Sequence, residues 1–371
     1  MMKTRLIHVT AELPPTVGGV ADYTTILSRR LVEVSDGAVE PVLVHAGKEK
    51  SNAIDVSFPV RDLSGRCSAA ALADMIDQLA GDAVGEAVIL LEYVGYGYAK
   101  RGAPLWLAEA LRRVCEELGV PLITMFHEIS ASGPIWSSAF WLSPIQTWTA
   151  RRISRLSSAL MTTHPIGAQK LETWVRDNIR VEVHPAFSNV GEPDTNPTWA
   201  NRDCAVLFGG QAEKANIYAH SNQLQELFAR QQIEHLVDIG PSPKSVPSFE
   251  VSHDVLGVQP ADVVSRWLRQ ARLGVVHRRL DIMTKSGLLA AYLAHGVPLL
   301  VLPNGEASQP PVLEEGSHYL TMSRARSSAI DGKHMSKCGY SWYQEHHHSR
   351  KQARTIHQMI RTVCKGTFDS E

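Results

Sequence analysis

"VVHRRLDIMTKSGLLAAYLAHGVPLLVLP", residues 275 to 303, reads as a buried strand, a basic loop, a helix opened by Lys285-Ser286-Gly287, and a second buried strand. A strand, a crossover helix and a further apolar strand form the repeating unit of a parallel sheet. Ser286 suits the N-cap, Gly296 suits the left-handed residue that ends the helix, and Pro298 leads into the next strand. The free N–H groups at that helix start, together with Lys285, make an anion site on simple electrostatic grounds. A plain cap at Ser286 beside a solvated lysine is the competing reading.

The same alternation extends in both directions. Upstream, "RLIHVT", "PVLVHA", "DVSFPV", "AVILLEYV", "PLITMF", "ALMTTH" and "VEVHPA" read as strands, separated by helical patterns such as "ADYTTILSRRLVEV" and "APLWLAEALRRVCEEL". Closer to the opening stretch, "CAVLFGG", "HLVDIG", "HDVLGV", "LGVVHR", "VPLLVLP" and "SHYLTM" repeat the pattern. A Pro-, Asn- and Asp-rich interval lies between the two sets. The expected organisation is an α/β chain with one Rossmann-like domain at residues 1–187, a linker at 188–203, a second Rossmann-like domain at 204–340, and a terminal amphipathic helix at 341–371.

Composition narrows the function classes. The chain has 371 residues, 44% apolar and 20% charged, which is the balance of an ordinary folded protein with room for two cores. A formal net charge of −1 gives no global attraction to nucleic acid, so no nucleic-acid partner is expected and any anion site must be local. Cys67, Cys115, Cys204, Cys338 and Cys364 are odd in number and lack C-x-x-C spacing, which argues against a disulfide framework or a zinc site and fits a reducing cytoplasm. The polar start runs straight into a strand pattern rather than a signal peptide, and no run is long enough for a membrane span.

Ligands of doubly wound sheets bind at the carboxyl ends of strands, and three further such ends carry unusual residues. In "LPPTVGGVADYTTILSRRL", Gly18-Gly19 stand where a strand hands over to a helix, so backbone N–H groups can approach an anion; a tight turn that binds nothing explains them too. In "PLITMFHE", His127 ends a strand and can act as a base or hold a hydroxyl, with Glu128 placed to orient it or simply solvated. In "VLFGGQAEK", Gly209-Gly210 leave a strand and Lys214 follows within reach of a diphosphate, although an exposed loop lysine is the plainer account. Three of the four ends favour anions and divide between the two halves, which suggests a diphosphate held between them.

These residues resemble the glycosyltransferases of the GT-B fold, in the large group 1, family 4-like class that uses activated sugars, and the resemblance spans nearly the whole chain. It implies two Rossmann-like domains facing across a cleft, with the terminal helix crossing back to the first domain. "PPTVGGVADYTTILSRRL" looks like the glycine-rich loop facing the donor diphosphate, which places Gly18 and Gly19 there. "TMFHE" looks like the strand-end histidine motif, placing His127 beside the transferred sugar. "LFGGQAEK" matches the strand whose loop carries an Arg and a Lys on the donor phosphates. Gly210 and Gln211 occupy the Arg position here, so only Lys214 carries over. The family's paired glutamates are missing: aligned on Gly296, their positions hold Ala291 and Met283. Lys285 and Ser286 are the expected replacement contacts on the residues themselves rather than by inheritance from the family, and Gly287 completes that donor-binding helix start.

The resulting expectation is transfer of a sugar from a nucleotide-diphosphate donor, a co-substrate rather than a cofactor, to a saccharide or lipid-linked acceptor in surface polysaccharide or glycoconjugate synthesis. No Asp-x-Asp pair occurs, so metal-independent transfer is predicted. The aromatics of "YVGYGYAKRGAPLW" and "SASGPIWSSAFW" suit stacking on acceptor sugars, or core packing. Arg151, Arg152 and Arg155 suit a peripheral contact with an anionic membrane, or a solvated helix face. A glycosyltransferase-like binding subunit without catalysis and a nucleotide-sugar epimerase of the same fold are the rival functions.

Overall fold

The computed structural model describes residues 3–16, 18–50, 54–83, 85–130, 138–176, 179, 181–200, 202–307, 309–327 and 329–365. Apolar runs form strands because helices cover both faces of each sheet, so nearly every strand side chain must tolerate burial. All five residues of "LITMF" at Leu122–Phe126 are buried, as are four of the five at Leu299–Pro303.

The chain divides into two units, Met1–Pro185 with Ser349–Glu371, and Ala186–His348. The first unit holds a parallel sheet of β1 (Lys3–Thr10), β2 (Val39–His45), β3 (Val60–Asp62), β4 (Gly85–Tyr93), β5 (Leu122–Phe126), β6 (Ala159–Thr162) and β7 (Val181–Val183), ordered β3-β2-β1-β4-β5-β6-β7. In the second unit, β8 (Cys204–Phe208), β9 (His235–Ile239), β10 (Ser252–Gly257), β11 (Ala271–Arg278), β12 (Leu299–Pro303) and β13 (Tyr319–Thr321) are ordered β10-β9-β8-β11-β12-β13. The strands stay parallel, but the direction in which successive strands are added reverses at the centre of each sheet, between β1 and β4 and between β8 and β11. Such a reversal opens a crevice at the strands' carboxyl ends, where doubly wound folds place ligands.

The opening stretch is β11, a short 3-10 turn at Leu280–Lys285, the helix Gly287–Ala294, and β12. Ser286 caps the helix, its Oγ accepting from Leu289 N–H at 3.2 Å, and Gly296 follows it at φ +59°. The helix lies close to the sheet: a Cβ on Gly274 of β11 would stand 2.5 Å from the Tyr292 ring. Tyr292 Oη donates to Val206 C=O and accepts from Phe208 N–H, so the helix is also hydrogen-bonded to β8.

Three expectations change. The stretch at 188–203 is no linker but part of the second unit. Ser188 N–H donates to Tyr343 Oη, and the buried Arg202 donates to the carbonyls of Thr198, Ala271, His295 and Gly296, which closes the end of the Gly287–Ala294 helix. Polar composition here reflects hydrogen bonding rather than solvation. The strand sought in "DVSFPV" begins only at its last residue, Val60. The terminal helix is two helices, Gly332–His346 and Ser349–Lys365, interrupted where buried His347 donates from Nδ1 to Ala186 C=O. The second of them packs within the first unit against Gly19–Val34, where Arg30 Nε donates to Ser349 Oγ and Tyr23 Oη to Gln352 Oε1. Among the described residues no helix is long and apolar enough to cross a membrane, and all five cysteines are free.

Candidate active site

In the first unit the carboxyl ends of β1, β4 and β5 gather the titratable groups. Glu92, on β4, is fully buried between His8 of β1 and His127 at the end of β5. Its Oε1 lies 2.8 Å from His8 Nε2 and its Oε2 lies 2.7 Å from His127 Nε2. Burial alone pushes the Glu92 carboxyl up, but the hydrogen bonds and attraction of His127 and His8 outweigh it and bring the group down to about 2. An ionised carboxylate only accepts, so both Nε2 atoms carry hydrogen. His8 Nδ1 lies 2.8 Å from Ser28 Oγ; in a neutral ring with hydrogen on Nε2, the Nδ1 atom of each histidine is an acceptor.

The His127 side chain is 13% exposed, enough to meet a substrate, and its ring stands edge-on to Tyr23 at 4.9 Å. Glu128 is exposed, and the group that orients the imidazole is Glu92. Glu92 was invisible as a partner in sequence, where its signal was a single carboxylate inside "AVILLEYV".

Gly18 is the extended residue that precedes the helix Gly19–Val34, and Gly19 opens it. A Cβ on Gly18 would strike the carboxylate of Glu12, whereas the corresponding position on Gly19 is open. The glycine at 18 thus leaves room for the Glu12 carboxylate beside the helix start. Burial raises the Glu12 carboxyl, opposed by the nearby Lys48, His45 and His127.

In the second unit, Gly209-Gly210 end β8, and the helix Gln211–Tyr218 starts at once. This early start turns Lys214 inward. The lysine is fully buried, ion-paired with Asp238 of β9 and donating to Gly240 C=O at 2.9 Å, and Tyr218 Oη also donates to Asp238. Lys214 is therefore a core cation and not the mobile ammonium expected from its spacing. Gln211 is exposed at the helix start.

Arg278, at the end of β11, is a cation whose role has no signal in sequence beyond its place at the start of the basic loop. Its Nη2 donates to Glu213 Oε2 at 2.8 Å, while its Nε is buried without a hydrogen-bond partner among the described residues. Glu213 also accepts from His277 N–H and lies against Gly209, where Leu288 of the next helix start is close by. Burial raises the Glu213 carboxyl, and Arg278 and the His277 N–H pull against that rise. Gly210 and Gln211 thus follow the carboxyl end of β8, while Arg278 ends β11 and the Lys285-Ser286-Gly287 helix start follows it. Ser286 Oγ is engaged in its cap, and Gly287 leaves little space, since a Cβ there would be 3.1 Å from Phe187 C=O.

The proposed acceptor aromatics separate. Tyr93 and Tyr98 are core residues, and Trp106 Nε1 donates to Tyr98 C=O, so packing accounts for these members of "YVGYGYAKRGAPLW". Residues 131–137 of "SASGPIWSSAFW" lie outside the described residues. Among the described residues no group of three His, Cys, Asp or Glu side chains is arranged to hold a metal ion.

No family model and no curated protein matches the chain. Solved structures do match along its full length. The α,α-trehalose 6-phosphate synthase of Burkholderia multivorans superposes with a TM-score of 0.61 at 13% identity, over 99% of this chain and 100% of that one. Anabaena HepE in complex with UDP-glucose gives 0.58 at 10% identity, over 96% and 99%. An α-glucosyltransferase in complex with UDP and a 13-mer DNA gives 0.55 at 10% identity, over 97% and 100%. Identities this low speak for architecture and not for substrate. Two parallel sheets with central reversals, matched end to end by such chains, give this protein the GT-B glycosyltransferase fold.

Proposed function

We propose that the chain is a glycosyltransferase that moves a sugar from a nucleotide-diphosphate donor to a saccharide or lipid-linked saccharide acceptor, in cytoplasmic assembly of a surface polysaccharide or glycoconjugate. The observation that carries this reading is His127, at the carboxyl edge of a GT-B sheet and held by the buried carboxylate of Glu92. Uridine-diphosphate ligands in the similar structures support the donor class.

In the reaction, the bond from the anomeric carbon to the diphosphate breaks and its electron pair leaves on the diphosphate. The acceptor hydroxyl oxygen bonds that carbon, and its proton passes to a base. His127 Nδ1 takes a hydrogen bond from a hydroxyl at the reacting centre, because Glu92 fixes hydrogen on Nε2. In the second unit, Arg278 and the helix starts at Gly210-Gln211 and Lys285-Ser286-Gly287 meet the charge growing on the diphosphate, a stabilisation that needs no metal bridge. Gly19 remains an open backbone position at the first helix start.

Calorimetric titration with UDP and UDP-sugars, followed by a UDP-release assay with and without saccharide acceptors, tests this. Arg278→Ala is expected to weaken UDP binding about tenfold or more, as loss of a charge-assisted hydrogen bond does. His127→Ala should abolish transfer with UDP binding retained. Absence of binding by any nucleoside diphosphate overturns the reading. Lys214 locked on Asp238 favours one alternative, a donor-binding subunit without turnover, which binds UDP-sugar and releases no UDP.

A further inference from the structure

The helix Ser138–Leu156 wears its polarity reversed. Its buried side holds Gln146, Thr149, Ala150 and Ile153, with the polar groups satisfied locally: Gln146 Nε2 donates to Tyr96 Oη and Arg101 C=O, and Thr149 Oγ1 to Ile145 C=O. Its outer side carries Trp141 at 74% exposure, Trp148 at 51% and Ile145 at 42%. A water-facing helix surface normally shows the opposite pattern.

The exposed residues are ordered. Trp141, Ile145, Trp148, Arg152 and Arg155 follow one another at spacings of four and three, which at 3.6 residues per turn confines them to about 80° of arc. The apolar half thus passes directly into a cationic half, and the Arg152 guanidinium lies over the Trp148 ring at 5.4 Å. Exposed Arg151 flanks the stripe, and the helix sequence contains no acidic residue. Through its bond to Arg101 C=O, Gln146 also holds exposed Lys100 and Arg101 beside the helix. Glu109, which pairs with Arg152 at 3.2 Å and with Arg112 and Arg113, is the carboxylate that faces this surface.

We propose that this helix face docks the protein on an anionic lipid bilayer, with Trp141, Ile145 and Trp148 entering the headgroup boundary and Arg151, Arg152 and Arg155 on the lipid phosphates. Indole rings favour that boundary because one edge is apolar and the N–H stays wet. An apolar stripe combined with clustered arginines is the arrangement of interfacial helices that lie in the membrane plane, where apolar burial and phosphate attraction add. The proposal does not rest on the sugar-transfer reading, since a lipid surface is recognised by the helix itself.

Vesicle flotation of the full-length protein tests it. Vesicles of equal parts phosphatidylcholine and phosphatidylglycerol should carry the protein, while vesicles of phosphatidylcholine alone should carry much less, and added salt should release it. The variant W141A/W148A should lose about tenfold or more in affinity for the anionic vesicles, and R151Q/R155Q about tenfold. Both variants change exposed side chains, although Arg155 Nε also donates to Trp174 C=O at 3.3 Å, so UDP binding should match the parent and thermal midpoints should match it for W141A/W148A and fall only slightly for R151Q/R155Q. Flotation with neither vesicle, or unchanged flotation of both variants, overturns the proposal. So does a dimer in sedimentation equilibrium that W141A/W148A dissolves, which assigns the face to a second copy of the chain.

Discussion

Glu92 is a carboxylate removed from water and kept ionised by two imidazoles, one on each neighbouring strand. Replacing it by Gln retains shape but removes charge, and the amide NH2 must then face an Nε2–H as donor against donor. Glu92→Gln is expected to cost about 1–3 kcal/mol in urea unfolding, the usual penalty of a buried polar group left unmatched. Under the proposed mechanism it also lowers UDP release by about tenfold or more while UDP binding persists, because His127 loses its fixed tautomer. Turnover unchanged in this variant would show that His127 acts without Glu92. His127 was legible because a strand-end histidine is conspicuous on its own. Glu92 was not, because its meaning depends on β1 and β5 lying on either side of β4.

The helix Gln211–Tyr218 shows how an element boundary reassigns a side chain. Beginning right after Gly210, it sets Lys214 on its inner face against β9, and the lysine becomes half of a buried ion pair. Lys214→Met leaves Asp238 as an uncompensated buried charge and is expected to destabilise the protein by about 3–5 kcal/mol. The double variant K214M/D238L removes both charges and should recover most of that loss in the same denaturation measurement, since well-packed apolar replacements of ion pairs are often neutral. A K214M protein as stable as the parent would contradict the locked pair. The signal available in sequence was Asp238, a carboxylate in the middle of the apolar strand "HLVDIG", while a glycine pair followed by a lysine has the same pattern as a phosphate loop.

Across the fold, His184, His295 and His347 are each buried and pushed down from 6.5 to about 4 by loss of solvent. The native protein keeps them neutral while the unfolded chain protonates them. Where the unfolded state binds more protons, stability falls as pH falls, so the loss runs from about pH 6.5 to about pH 4. Glu92, lowered from 4.5 to about 2, adds its own loss as pH drops through that lower window. Urea midpoints measured across this range should decline steadily toward acid, and His295→Gln should flatten part of the decline. A flat profile between neutral pH and about 5 would mean that these imidazoles are not held neutral.

The alternation of strands and helices was readable along the chain, because burial of a parallel sheet is a local demand: each strand must be apolar on both faces and each helix on one. The same held for the Ser286 cap and the Gly296 stop, which involve neighbours a few residues away. The site's chemistry came from pairings that depend on strand order. His8 meets Glu92 across 84 residues, His127 meets it across 35, and Lys214 meets Asp238 across 24. Charge type alone does not say whether a group is spent on a buried partner or left for a ligand. Folding made that assignment by placing one strand beside another, and it turned Lys214 inward while leaving His127 at the surface.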